Sequence, residues 1–426
     1  MFIHVGADGG WLRLPIYRTP DIDTEEGLLA AYRVSNIFIG TPQAMTTLSL
    51  DLWNEDTQIQ LENCVYCQGD VFNPELSSSF RTFPGQLRKY GKIAGLGKDT
   101  ISFGGKITLD DTPFQVIKHR IPRTATEDGG TLGIYVDPTN ETARENHVLS
   151  RMYRNGVLLS PVVGILLDNN ASHITIGALD HNDYAGEVNW IETYTDPDKE
   201  MASPIHFPLD GLTIVGGNIS FLTPESSIYL INGSISSSLS VPIPLYLDLL
   251  RISEPPVTDF GTVSSLCNRD DGISSYTDGL AKFNFTAVIN GINYSLPALE
   301  LTGDCNVQTA QPFLGLDFLE SLFVAYRFPT SECPTPYYGL AFKKGQNDTS
   351  EKLNQKPRLA LTSSTQCLTF ETPTSVLSIS TGVPQQSILY HGSYPVMGDT
   401  EKKVPLAFPE RFTPQAWSTP TASVVN

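Results

Sequence analysis

The sequence predicts a mostly-β protein made of two related halves, on three observations. Short β-branched or alternating runs bounded by Gly, Pro, Asn or Asp dominate the chain. Helical periodicity is rare. A short pattern recurs: Thr46–Leu52 reads T-T-L-S-L-D-L and Ile228–Ser234 reads I-Y-L-I-N-G-S, each reaching a short polar residue, Asp51 or Asn232. An apolar residue followed by glycine lies at matching distances downstream. Leu132-Gly133 lies 82 residues on (51 to 133), and Leu314-Gly315 lies 83 residues on (232 to 315). Equal internal order at nearly equal spacing predicts a duplicated architecture.

In chain order, the expected strands are Arg33–Ile39, Thr46–Leu52, Thr100–Phe103, Gln115–Lys118, Val162–Leu167 and His173–Gly177, then Leu212–Val215, Ile228–Ile231, Lys282–Val288 and Leu322–Phe328. Two helices are expected. One is Glu145–Asn155, stopped by Gly156 at a C′ position, where glycine takes the left-handed conformation most cheaply. The other is Pro244–Ile252, with Pro at its start and Leu245, Leu249 and Leu250 on one face. Residues 347–426 are rich in Ser, Thr, Pro and Gln with weak periodicity, for which a tail or a sugar-bearing stalk is expected.

The chain has 426 residues, 28 basic and 46 acidic, for a net charge of −18. With its Lys and Arg scattered, such a surface does not attract a phosphate backbone, so no nucleic-acid partner is expected. Apolar residues make up 40% and charged residues 17%, the balance of a globular chain. No apolar run is long enough for a membrane span. The C-terminus lacks the apolar segment of a lipid-anchor signal. No G-x-S-x-G occurs. Gly91–Asp99 misses a P-loop, because Lys92 stands where the first glycine belongs, Asp99 replaces Ser/Thr and a strand follows instead of a helix.

Six cysteines are present, with Cys64 and Cys67 in C-V-Y-C. Zinc would need a second pair or two histidines at ligand spacing, and the seven histidines are isolated, so structural disulfides are expected, with no metal and no cofactor. N-x-S/T sequons begin at Asn140, Asn170, Asn218, Asn232, Asn284, Asn293 and Asn347. At this density they indicate a glycosylated, secretory-pathway surface (extracellular, cell wall or vacuole). Met1–Pro15 lacks the basic and apolar regions of a signal peptide.

Several landmarks run in one order. They are Ile39-Gly40-Thr41-Pro42, Phe72-Asn73-Pro74-Glu75-Leu76-Ser77-Ser78-Ser79-Phe80, Tyr90-Gly91 and Gly97-Lys98-Asp99-Thr100-Ile101. Asp128 through Gly133, Gly156 through Val162, Ile174 through Gly177, Leu314 through Leu319 and Tyr338 through Ala341 follow. Together they resemble the pepsin-like aspartic protease family in its fungal style, from about Tyr32 to Phe342. The resemblance implies two β-lobes around a cleft, an N-lobe over 29–203 and a C-lobe over 204–346, preceded by an extension over 1–28 and followed by the tail. It also implies the disulfides Cys64–Cys67 and Cys267–Cys305, which leaves Cys333–Cys367. Tyr90 takes the place of the flap tyrosine. A monomer with a polypeptide or peptide in its cleft is the implied assembly.

The family carries D-T-G-[ST] twice, and its two aspartates share one proton so that one serves as base and the other as acid. Here the first copy reads Asp51-Leu52-Trp53-Asn54 and the second aligns as Asn232-Gly233-Ser234-Ile235. An amide at Asn232 cannot exchange the shared proton. Leu52 and Gly233 lack the hydroxyls that grip across the lobes, and Trp53 replaces a glycine. The expectation is an inactive homologue with a binding or structural role. The alternative is an active acid endopeptidase using Asp56 or Asp248. A third reading, an unrelated carbohydrate-binding β-protein, requires the ordered landmarks to be coincidence.

Overall fold

The computed structural model describes residues 10–18, 22–24, 27–29, 32–52, 54–65, 67, 69–83, 93–119, 129–168, 171–193, 206–208, 210–215, 220–221, 228–231, 239–242, 275–278, 283–298, 301–304, 313–314, 316–345, 355–357, 365–368 and 370. In several strands of the second half only the backbone is described. The expected helix Pro244–Ile252 lies outside these residues.

The chain begins with β1 (Leu12–Arg18), β2 (Ile22–Thr24), β3 (Gly27–Leu29), β4 (Tyr32–Ile39), β5 (Ala44–Asp51) and β6 (Gln58–Val65). It continues through β7 (Arg81–Phe83), β8 (Ile93–Phe103), β9 (Ile107–His119), β10 (Gly130–Gly133), α1 (Glu141–Asn146), α2 (Val148–Arg154), β11 (Val162–Leu166), β12 (His173–Ile176) and β13 (Tyr184–Glu192). The second half holds β14 (His206–Pro208), β15 (Gly211–Val215), β16 (Ser220–Phe221), β17 (Ile228–Ile231), β18 (Leu239–Pro242), β19 (Ser275–Asp278), β20 (Phe283–Ile289) and β21 (Ile292–Ala298). It closes with β22 (Leu301–Asp304), β23 (Phe313–Leu314), α3 (Leu316–Ser321), β24 (Leu322–Arg327) and β25 (Tyr337–Lys343).

The duplication inferred from spacing is carried by the hydrogen-bonded order of the strands. The first half contains the run β4-β5-β10-β6-β9-β8 and the second the sheet β14-β17-β23-β18-β22-β19. Their orientations match at every step: antiparallel, parallel, antiparallel, parallel, antiparallel. In each half a short late strand inserts between two earlier ones. This is the mostly-β, bilobal aspartic protease architecture.

The run β13-β25-β24-β11-β12-β1 extends the first-half sheet and crosses the boundaries drawn from sequence. β1, from the stretch expected to be an extension, pairs with β12 through Leu12–Pro15 and with β4 through Ile16–Arg18. Its alternation explains this, because Leu12, Leu14 and Ile16 are buried on one face, next to a buried Trp11. The hairpin β24–β25 likewise pairs with β11 and β13 of the first half. Its residues are almost all buried, as befits strands covered on both faces.

The helix expected over Glu145–Asn155 is two helices. His147 takes an extended conformation (φ −60°, ψ 134°) and caps α2, its Nδ1 accepting from Leu149 N at 3.2 Å. The C-terminal stop is as expected: Gly156 has φ +68° and its N–H donates to Tyr153 O at 2.9 Å. Part of the expected tail is integral to the fold. Cys333–Cys367 is bonded (Cα–Cα 5.8 Å), and Arg327, 2% exposed, donates to Cys367 O at 3.0 Å and Cys333 O at 2.7 Å. Phe370 packs on Trp190 with ring centroids 5.3 Å apart.

Candidate functional site

Asp51 ends β5. Along this strand Leu48 and Leu50 face the core while Thr47, Ser49 and Asp51 share the opposite, half-buried face. Leu52 follows, 2% exposed. The carboxylate is held by its own loop: Asn54 N donates to Asp51 Oδ1 at 3.1 Å, and Asp56 N donates to Asn54 Oδ1 at 3.0 Å.

β10 fixes this loop from the side. It runs parallel to β5, setting Leu132 beside Leu50 and Gly133 beside Asp51. Ile134 N then donates to Asp51 O at 2.9 Å and Tyr135 N to Asn54 O at 3.2 Å. Glycine is obligatory at two places here. A Cβ on Gly133 would lie 2.4 Å from Asn54 O and 2.8 Å from Asp56 O, and one on Gly130 would lie 1.8 Å from Gln58 O. All three acceptors are backbone, so the clash cannot be relieved by a side-chain rotation.

In the second half β17 pairs parallel with β23, Ile231 beside Leu314. That pair corresponds to Leu50 beside Leu132. The next residues in sequence are Asn232 and Gly315, as Asp51 and Gly133 are in the first half. Asn232 and Gly315 lie outside the described residues, as do Trp53, Tyr90, Asp248, Cys267, Cys305, Asn170, Asn218 and Asn347. The backbone of Asn284 is in β20, and its side chain is not described.

Beneath the Asp51 loop the packing is apolar. Leu50 and Leu52 line a small void with Tyr32, Ile165, Leu167, Leu319 and Val324. Leu319 comes from α3 of the second half, so an aliphatic contact joins the halves at this level. A tyrosine group lies close by. Val136 N donates to the Tyr326 hydroxyl at 3.2 Å, and the Tyr326 and Tyr338 rings lie 5.0 Å apart. Burial, then the neighbouring Tyr326 and Tyr135, and last the charge of Asp51, push the Tyr338 hydroxyl well above its usual value.

Two further titratable groups flank Gly133. Asp56, named from sequence as a spare carboxylate, is pushed up to about 6 by burial and accepts a hydrogen bond from Gln115 Nε2. His147 is pushed down to about 4 by burial, partly offset by the nearby Gly133 carbonyl. That carbonyl is not in hydrogen-bonding geometry with His147 Nε2. Sequence reasoning missed His147 because an isolated histidine carries no motif. Its one local signal was its place before the α2 apolar run.

Cys64–Cys67 closes the end of β6 (Cα–Cα 5.5 Å). In the loop after it, Asp70 Oδ2 accepts from Thr47 N at 2.8 Å and Thr47 Oγ1 at 2.9 Å, tying the loop to the strand that carries Asp51. Asn140 and Asn293 are exposed. No helix among the described residues is long and apolar enough to cross a membrane.

Known proteins are similar to this chain in sequence. The sequence is 24% identical to mouse (Mus musculus) gastricsin over 324 residues, 68% of this chain and 76% of gastricsin. It is 25% identical to rabbit (Oryctolagus cuniculus) pepsin II-2/3 over 303 residues, 66% of this chain and 71% of that one. It is 27% identical to cattle (Bos taurus) pregnancy-associated glycoprotein 2 over 171 residues, which are 37% of this chain and only 44% of that protein. The eukaryotic aspartyl protease family pattern matches residues 32–316. With the matched strand order and the paired Asp51–Gly133 register, this chain belongs to the eukaryotic aspartyl protease family.

Proposed function

We propose that the chain is a catalytically silent member of this family that holds a polypeptide in the cleft between its lobes and works in the secretory pathway. One observation carries the reading. In the sequence Asn232 follows Ile231 of the Ile231–Leu314 pair, as Asp51 follows Leu50 of the Leu50–Leu132 pair. An amide there neither shares a proton with Asp51 nor donates one to a carbonyl oxygen as it becomes tetrahedral. Loss of one catalytic acid or base typically costs ~10²–10⁴-fold. Asp56, the nearest alternative, is engaged by Gln115 on β9. Leu52 lines an apolar void and has no hydroxyl to bridge the lobes. Disulfides at Cys64–Cys67 and Cys333–Cys367 support an oxidising compartment.

The test is incubation of the purified protein with a denatured protein substrate from about pH 2 to 7, with and without pepstatin. No pepstatin-sensitive cleavage is expected, and clear turnover would overturn the reading. Retained binding of denatured polypeptide in a pull-down supports the cleft role, and its absence removes it.

A further inference from the structure

We propose that Asn140 and Asn293 carry N-linked oligosaccharides, and that the sugar on Asn293 shields the sheet edge that β21 forms among the described residues. The proposal rests on the secretory-pathway reading above.

Asn140-Glu141-Thr142 stands where the chain enters α1, with Asn140 and Thr142 both exposed. Asn140 Oδ1 accepts from Ala143 N at 3.0 Å and so caps the helix. The cap uses the amide oxygen, whereas a sugar bonds to the amide nitrogen, so one side chain serves both roles. Asn293-Tyr294-Ser295 lies on β21. The strand alternates cleanly: Ile292 and Tyr294 are buried at 6% and 1%, while Asn293 and Ser295 are exposed. Asn293 therefore stands on the outward face, opposite Val288.

β21 is an edge strand of the sheet β16-β15-β20-β21 among the described residues. Edge strands invite pairing with another copy unless something blocks them. The outward N–H of Asn293 is already taken, donating to Gln355 Oε1 at 2.7 Å. A large hydrated group at Asn293 adds a steric block without disturbing the ladder to β20.

The modifying step balances with a polyprenyl-diphosphate-linked oligosaccharide as donor. The asparagine Nδ2 attacks the anomeric carbon and a C–N bond forms. The C–O bond to the diphosphate breaks, polyprenyl diphosphate leaves with that electron pair, and Nδ2 gives up one proton.

The full chain is expressed in a eukaryotic secretory host behind a heterologous signal peptide. Peptide N-glycosidase treatment and peptide mapping then report occupancy. Conversion of Asn140 and Asn293 to aspartate in the fused, secreted form is expected. Thr142→Ala and Ser295→Ala should each remove one mobility step, and Ser295→Thr should keep it. Asn140→Asp keeps the cap acceptor and loses the sugar, so it guards against a folding artefact. Unmodified Asn140 or Asn293 in the secreted protein overturns the assignment. Modification of both sites together with localisation of the natural protein outside the secretory pathway refutes the compartment reading and upholds the sites. For the shield, Ser295→Ala should show greater self-association by light scattering than Ser295→Thr, and equal scattering removes that part of the proposal.

Discussion

Asp56 and His147 make opposite demands on pH, and replacing either should expose the other. Burial raises the Asp56 carboxyl from 3.8 to about 6, so the folded state holds a proton there that the unfolded chain releases. The folded protein is therefore penalised above about pH 6, and the penalty fades as pH falls to about 4. At about 1.4 kcal/mol per unit this amounts to roughly 3 kcal/mol at neutral pH. Burial lowers His147 from 6.5 to about 4, so there the unfolded chain holds the extra proton. That cost is absent above about pH 6.5 and grows to a similar ~3 kcal/mol as pH falls through about 4. Between these limits the two proton differences cancel. Asp56→Asn removes one of them. Its stability relative to wild type should be greatest at pH 7 and should shrink by about 3 kcal/mol toward pH 4. His147→Asn, which keeps a capping oxygen for Leu149 N, should gain relative to wild type in the opposite direction, toward acid pH. Urea unfolding of the three proteins at several values from about pH 4 to 7 measures both differences. A difference that does not change with pH, for either variant, would refute the reasoning.

Gly133→Ala should fail to fold or lose several kcal/mol in urea melts, because its Cβ would press on Asn54 O and Asp56 O, which are backbone atoms. Leu52→Thr, although it restores a hydroxyl that family members carry, should destabilise by about 2 kcal/mol in the same assay, since the lining around it is almost wholly apolar. Cys367→Ser opens a loop with a sequence separation of 34 and loosens the Arg327 contact to Cys367 O. About 3–4 kcal/mol should be lost, read as a lower thermal midpoint under non-reducing conditions. Asn232→Asp alone should restore no pepstatin-sensitive cleavage while Leu52 and Trp53 remain, and rescue by that single change would show the first loop to be competent.

Strand content and the duplication were legible because both rest on local pattern. The short β-branched or apolar runs Arg33–Ile39 and Ile228–Ile231 needed only their own residues to announce the strands found there. Of the four positions that the spacing aligned, Asp51 and Gly133 lie among the described residues and pair in register, because β10 inserts beside β5. Three things needed the tertiary structure. β1 reads as an extension in sequence, and only its partners β12 and β4 make it part of the core sheet. The expected helix over Glu145–Asn155 is broken at His147, since the choice between continuing and capping depends on a buried site beside Gly133 that neighbours in sequence do not create. The opposed titrations of Asp56 and His147 are likewise products of burial. A carboxyl and an imidazole have ordinary values in an isolated segment, and only the fold removes the water that sets them.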